Sequence, residues 1–384
     1  MTVAAHEANH IASERRTAPV RVAICTVGEL FGGVERHVLG MLAGLAKRGT
    51  DVLLILFDDG ELAAQARALG AEPVVLSGNN LKLFDTAKRL ATVLEERTIR
   101  VVHLHGYKAA VLCALARRRY PFAIVKTEHG LPEPMAGSRT RAWRDRFYRA
   151  LERFVTRVDG ASVCYVTQDL KGYHERAHAG LRATVIPNGV ESMDRARFPR
   201  PGELRADRFN ALIVGRLDLI KGHHVAIAAL QDRGMPPDVH LCIVGDGPRR
   251  DELQELAARH GVAERVHLLG FRRDVYDYIA HCDALLMPSL HEGLSYTLLE
   301  AMALGVPIIA SRVGGLAEVL EHGADAILVE PNRPAELAHA LRRLKSDASL
   351  GARLGARAQA VQRATYSLDA MADRYLGVYR EALG

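Results

Sequence analysis

Apolar runs of five or six residues alternate with stretches of helical periodicity through most of this 384-residue chain. A strand whose residues are apolar without alternation is buried on both faces, and a helix after each strand makes the sheet parallel. The alternation breaks once and then restarts, so the chain is expected to fold as α/β, in two successive doubly wound, Rossmann-like units. Its length agrees, because single cores stop growing near ~250–300 residues.

In the first half the expected strands are Val20–Thr26, Val52–Phe57, Val101–Leu104, Ala123–Lys126 and Ala161–Val166. In the second they are Phe209–Val214, Val239–Val244, Val266–Leu269, Ala284–Met287, Pro307–Ala310 and Ala326–Val329. Between the halves, Glu191–Asp207 is polar and Arg-rich with Pro199 and Pro201, the composition of a linker. The expected division is a tail over 1–18, a first domain over 19–190, a linker over 191–207, a second domain over 208–365 and a last helix over 366–384 that returns to the first domain. Ligands are expected where the carboxyl ends of the strands face a cleft between the domains.

Composition bounds the setting. The five cysteines have no C-x-x-C spacing, which argues for reduced thiols and against a disulfide framework or structural zinc. Met1–Ala18 lacks the apolar stretch of a secretory signal, and no run approaches the ~18 apolar residues of a membrane span. A cytoplasmic protein is expected, with any membrane contact peripheral and at the inner face. The net charge of +6 is modest and implies no nucleic-acid partner.

Three segments carry charge or backbone suited to an anionic ligand. Glu292 and Glu300 flank the start of a helix, and the backbone N–H groups of Leu294, Ser295 and Tyr296 gather there as an anion site. The spacing alone fits a solvated loop Glu and a surface helix Glu equally well. Arg216 and Lys221 put two cations in the turn after the first strand of the second half, where Arg grips phosphate bidentately and Lys acts as a point charge. Gly28–Gly33 lets backbone approach a phosphate, yet neither it nor Gly245–Pro248 is the G-x-G-x-x-G fingerprint, so nicotinamide chemistry lacks support. His129 follows a strand, as do His103 and His105 at another strand end; most of the 17 histidines must be ordinary, and His129 is the one selected.

Taken in order, Gly32-Gly33-Val34-Glu35, Glu128-His129-Gly130, Pro187-Asn188-Gly189-Val190, Gly215-Arg216 with Lys221-Gly222, Gly245-Asp246-Gly247-Pro248, Gly270-Phe271-Arg272, His291-Glu292-Gly293 and Gly305-Val306-Pro307 resemble glycosyltransferase family 4, retaining enzymes of the GT-B fold. The resemblance implies two Rossmann-like domains and transfer of a hexosyl unit from a UDP- or GDP-linked sugar, used as co-substrate, to a glycan, lipid-linked sugar or small-molecule acceptor. It implies that Arg216 and Lys221 bind the diphosphate, Glu292 the donor-sugar hydroxyls and Glu300 the ribose. Backbone at Gly32, Gly33, Leu294, Ser295 and Tyr296 would line the phosphates, Phe271 and Arg272 the base, and His129 would lie beside the sugar. No D-x-D occurs, so no catalytic metal is expected. The same architecture also serves nucleotide-sugar epimerases and phosphorylases, and a silent binding module is the third alternative.

Between Arg139 and Val158, Trp143, Phe147, Ala150, Leu151, Phe154 and Val158 share a helical face beside Arg146, Arg149, Arg153 and Arg157. The stripe is expected to be core with the arginines solvated; the other reading is a helix lying on an anionic membrane surface.

Overall fold

The computed structural model describes residues 20–28, 32–76, 83–130, 150–151, 153–154, 156–157 and 160–384. Two units separate, one formed by residues 1–188 with Leu368–Gly384 and the other by Gly189–Ser367.

In the first unit the strands are β1 (Arg21–Thr26), β2 (Asp51–Leu56), β3 (Val74–Val75), β4 (Val101–His105), β5 (Ala123–Glu128), β6 (Ser162–Tyr165) and β7 (Ala183–Val185). They form one sheet in the order β3-β2-β1-β4-β5-β6-β7, with every pairing parallel. Ala23 pairs with Leu53 on one side and Val102 on the other, so β1 is interior and its Val22–Cys25 run is fully buried. Helix Gly33–Ala46 turns His37, Val38, Met41, Leu42 and Leu45 inward, the i, i+4 stripe of an amphipathic helix. Helix Leu368–Ala382 joins it in the same core through Met371, Tyr375 and Tyr379, and Arg48 ties the two by ion pairs to Asp369 at 2.9 Å and Asp373 at 2.5 Å. Helices Leu83–Glu96 and Tyr107–Arg117 pack with Ile55, Val102 and Leu104 in a separate core.

The second unit repeats the plan with β8 (Phe209–Val214), β9 (Val239–Val244), β10 (Val266–Gly270), β11 (Ala284–Met287), β12 (Ile308–Ser311) and β13 (Ile327–Val329), ordered β10-β9-β8-β11-β12-β13 and again all parallel. Its core joins Ile213, Leu241, Ile243, Leu286 and Ile309 to Leu337 and Leu341 of helix Pro334–Ser346. In both sheets strand order reverses direction beside the first strand, between β1 and β4 and between β8 and β11. Loops leaving the two strands at such a reversal diverge to opposite faces and leave a crevice.

Three features differ from the sequence expectation. The edge strands β3 and β7, of two and three residues, carry no run long enough to show a period. The stretch 191–207 belongs to the second unit: Leu204 is 1% exposed, Arg195 donates to the Ala280 carbonyl, and His281 Nε2 lies 2.7 Å from the Phe198 carbonyl. Phe154, expected in the core, is 64% exposed, with Arg153 and Arg157 exposed beside it. Trp143, Arg146, Phe147, Arg149 and Val158 lie outside the described residues. All five cysteines are buried free thiols. No helix among the described residues is long and apolar enough to cross a membrane.

Candidate functional site

At the reversal in the second unit, the turn Gly215–Gly222 leaves β8 and the segment 288–295 leaves β11. The two lie against each other because Gly222 has no side chain. A Cβ there would stand 1.9 Å from the Pro288 carbonyl oxygen, and its φ of +69° is one that side chains disfavour. The Leu290 N–H then donates to the Ile220 carbonyl at 2.7 Å. This apposition brings the Lys221 ammonium to 2.7 Å from the Glu292 carboxylate, which also accepts from Ser289 Oγ at 3.0 Å. The Lys221 and Glu292 side chains are 27% and 11% exposed, so the solvated reading of Glu292 fails. Asp218 accepts the Lys221 backbone N–H at 3.1 Å and fixes the turn. Arg216, in the same turn, is exposed and makes no ion pair among the described residues.

Helix Tyr296–Ala303 begins just past this pair, after Leu294 and Ser295. Gly315 holds the segment from the far side: its N–H donates to the Glu292 carbonyl at 2.9 Å, and a Cβ on it would come within 2.4 Å of the Gly293 carbonyl oxygen. Glu300, on that helix, is 2% exposed and accepts from the Tyr276 hydroxyl at 3.0 Å, so it is no surface helix Glu. A carboxylate so far from water is retained only with partners, and Tyr276 is one. Tyr276 carried no signal in the sequence, because it reaches Glu300 from the separate helix Val275–His281. Phe271 is 74% exposed. The Arg272 guanidinium pairs with Glu203 at 2.6 Å and lies 5.6 Å over the Tyr278 ring.

Gly32, Gly33 and His129 belong to the first unit. Gly32 precedes helix Gly33–Ala46, and its N–H donates to the Glu35 carboxylate at 2.9 Å. His129 follows β5 and has its Nε2 2.8 Å from His105 Nδ1 at the end of β4. His37 completes a cluster, its ring centroid 4.7 Å from that of His129 and 5.4 Å from that of His105. Sequence reasoning missed His37, although it sits on the apolar stripe of its helix, three residues after Val34 and four before Met41. Beneath them His103 bonds Tyr379 and Thr127, each at 2.7 Å, and Thr127 Oγ1 lies 3.0 Å from the Tyr375 hydroxyl. Burial, the largest cause, pulls His37 down to about 4 and holds His103, His105 and His129 well below the usual imidazole range, so all four are neutral near pH 7.

Residues 194–361 match the family model described as glycosyl transferases group 1, and residues 31–192 match the model described as glycosyltransferase family 4. The lipopolysaccharide core biosynthesis glycosyltransferase LpsD of Rhizobium meliloti (strain 1021) is 33% identical over 50% of this chain and 56% of its own, so the match spans about half its length. The glycogen synthase of Mycobacterium tuberculosis is 28% identical over 88% of each chain. Among solved structures, Anabaena Alr3699/HepE in complex with UDP and glucose superposes with a TM-score of 0.77 at 23% identity, over 94% of this chain and 99% of that one, a likeness of GT-B fold.

Proposed function

We propose a reaction for this chain from the premise that it belongs to glycosyltransferase family 4: a hexosyl unit passes from a nucleotide diphosphate sugar, UDP- or GDP-linked, to a glycan, lipid-linked sugar or small-molecule acceptor, with retention at the anomeric carbon. The bond from that carbon to the diphosphate breaks, the acceptor oxygen bonds to the same face, and the acceptor proton goes to a departing diphosphate oxygen. The observation that carries the reading is the Lys221–Glu292 pair at the strand-order reversal, a cation and a carboxylate held together where such sheets bind ligands.

Lys221 and Arg216 stabilise the charge that grows on the leaving diphosphate, an effect in which each lost group commonly costs ~2.7–4 kcal/mol of transition-state stabilisation. These cations take the role a divalent ion plays elsewhere, so the reaction is metal-independent. Glu292 accepts from donor-sugar hydroxyls and Glu300 from the ribose. Leu294, Ser295 and Tyr296 line the phosphates, and Phe271 and Arg272 flank the base. UDP-sugars head the donor panel because the Anabaena protein of like fold holds UDP and glucose. The lipopolysaccharide-core role in the name of LpsD supports a glycan or lipid-linked acceptor in a polysaccharide pathway, reached by peripheral attachment at the inner membrane face. The exposed Phe154 between Arg153 and Arg157 fits that attachment.

The test is nucleotide release across UDP- and GDP-sugars with a panel of glycan acceptors, followed by NMR of the product. An α-linked product from an α-linked donor is expected; a β-linked one overturns retention, and no transfer with any pair overturns the reading.

A further inference from the structure

We propose that His37, His105 and His129 form a binding site for one divalent transition-metal ion of the zinc class. The inference concerns binding by the first unit and does not rest on the transfer reaction.

One nitrogen from each of the three rings lies within 4.8 Å of the others, and among the described residues this is the one such group of three or more potential ligands. Two nitrogens bound to a tetrahedral zinc at ~2.0–2.1 Å stand ~3.3 Å apart. His105 Nδ1 and His129 Nε2, hydrogen-bonded at 2.8 Å, are already near that edge; when both bind the metal the shared proton moves to the donor ring's other nitrogen, and side-chain rotation brings in the third vertex. The rings converge by their edges: His37 stands at 65° to His105 and 76° to His129.

His37 is prepared as a ligand. Its Nδ1–H donates to Asn188 Oδ1 at 2.9 Å, the outer-shell bond that fixes a metal-binding imidazole's tautomer and leaves the Nε2 lone pair outward. That Nε2 is buried and has no hydrogen-bond partner. His37 is 0% exposed and His105 1% exposed. An unsatisfied buried polar atom costs ~1–3 kcal/mol, and a metal ion is an acceptor of the lone pair at His37. Neutral imidazoles suit zinc, copper, nickel and cobalt, whereas magnesium and calcium prefer oxygen. Three histidines leave a fourth position for water or an anion.

Cobalt(II) reports such a site by its visible absorption. The full-length chain, free of any histidine tag, is titrated with Co²⁺ and then with Zn²⁺. One Co²⁺ per chain, with the intense bands of a near-tetrahedral nitrogen site bleached by one equivalent of Zn²⁺, is expected. His37→Gln and His105→Gln should each weaken binding at least ~100-fold, and Asn188→Ala, which leaves all three ligands in place, ~10–100-fold. A His240→Gln/His267→Gln variant, which removes the stacked pair on β9 and β10, should bind as the wild type. No band from the folded wild-type chain overturns the proposal. So does a band that persists undiminished in folded His37→Gln or His105→Gln; where those fail to fold, undiminished binding by Asn188→Ala does the same.

Discussion

Lys221 and Glu292 stand 2.7 Å apart although 71 residues separate them in the chain. With a carboxylate only 11% exposed, each partner is the other's main compensation for lost water. In the proposed reaction a diphosphate competes for the ammonium and a donor-sugar hydroxyl donates to the carboxylate. Lys221→Ala and Glu292→Ala should each lower kcat by ~10²–10³ with the far-ultraviolet circular dichroism unchanged. Activity within a few-fold of wild type in either variant removes that residue from the site. Gly222→Ala should act on both at once by forcing the turn off the Pro288 carbonyl.

Glu300 sits deeper, at 2% exposure, and is assigned the ribose of the proposed donor. Glu300→Ala is expected to raise the donor KM by tenfold or more while kcat changes less, the signature of lost binding away from the reacting centre. Tyr276→Phe removes the hydroxyl that Glu300 accepts from and should give a smaller rise, near the ~0.5–1.5 kcal/mol of one hydrogen bond. A fall in kcat with unchanged KM in both variants would place Glu300 at the chemistry instead.

Transfer is expected to persist in excess chelator, because Arg216 and Lys221 are proposed to supply the positive charge at the diphosphate. Assays with and without a strong chelator, each followed by added magnesium or manganese, decide it. Activity that disappears and returns with either ion contradicts the proposed charge balance.

Arg48 links helix Gly33–Ala46 to the final helix through a bond that depends on pH. Its guanidinium hydrogen-bonds Asp373 and holds that carboxyl below the usual range. A depressed folded value means the contribution is present above the unfolded pKa near ~3.9 and is lost as pH falls through the folded value. The Asp373 side chain is 66% exposed, so solvent screening limits the effect to ~0.2–1 kcal/mol at neutral pH. Urea midpoints of wild type and Asp373→Asn should differ at neutral pH and converge as the pH falls through the depressed folded value; a constant difference excludes the ion pair as its source.

Arg153, Phe154 and Arg157 predict contact with anionic lipid. Cosedimentation with anionic vesicles at low salt should exceed that with neutral vesicles, with each arginine contributing up to ~1 kcal/mol. Arg153→Gln/Arg157→Gln should reduce it several-fold. Equal binding to both vesicle types favours an acceptor free in solution.

The amino-acid sequence by itself determined that the chain forms two doubly wound parallel sheets. Runs such as Val239–Val244 are buried on both faces, and turns such as Gly215–Gly222 end them; both signals are local, since they depend on burial and backbone freedom over a few residues. Lys221, Glu292 and Glu300 stood out as charges at strand ends and helix starts, but the spacing alone fitted solvated side chains equally well, and their roles came from the family resemblance. Only the tertiary structure decided which of them meet. The pairing of Lys221 with Glu292 follows from strand order at the reversal between β8 and β11, and the support of Glu300 by Tyr276 and the gathering of His37 with His105 and His129 join residues of separate elements. Strand order is a property of the whole sheet, set by which long-range packing buries the most apolar surface, and no short pattern encodes it. The stretch 191–207 shows the same limit: its polar composition reads as a linker, while Leu204 is buried and Arg195 bonds the distant Ala280 carbonyl within the second unit.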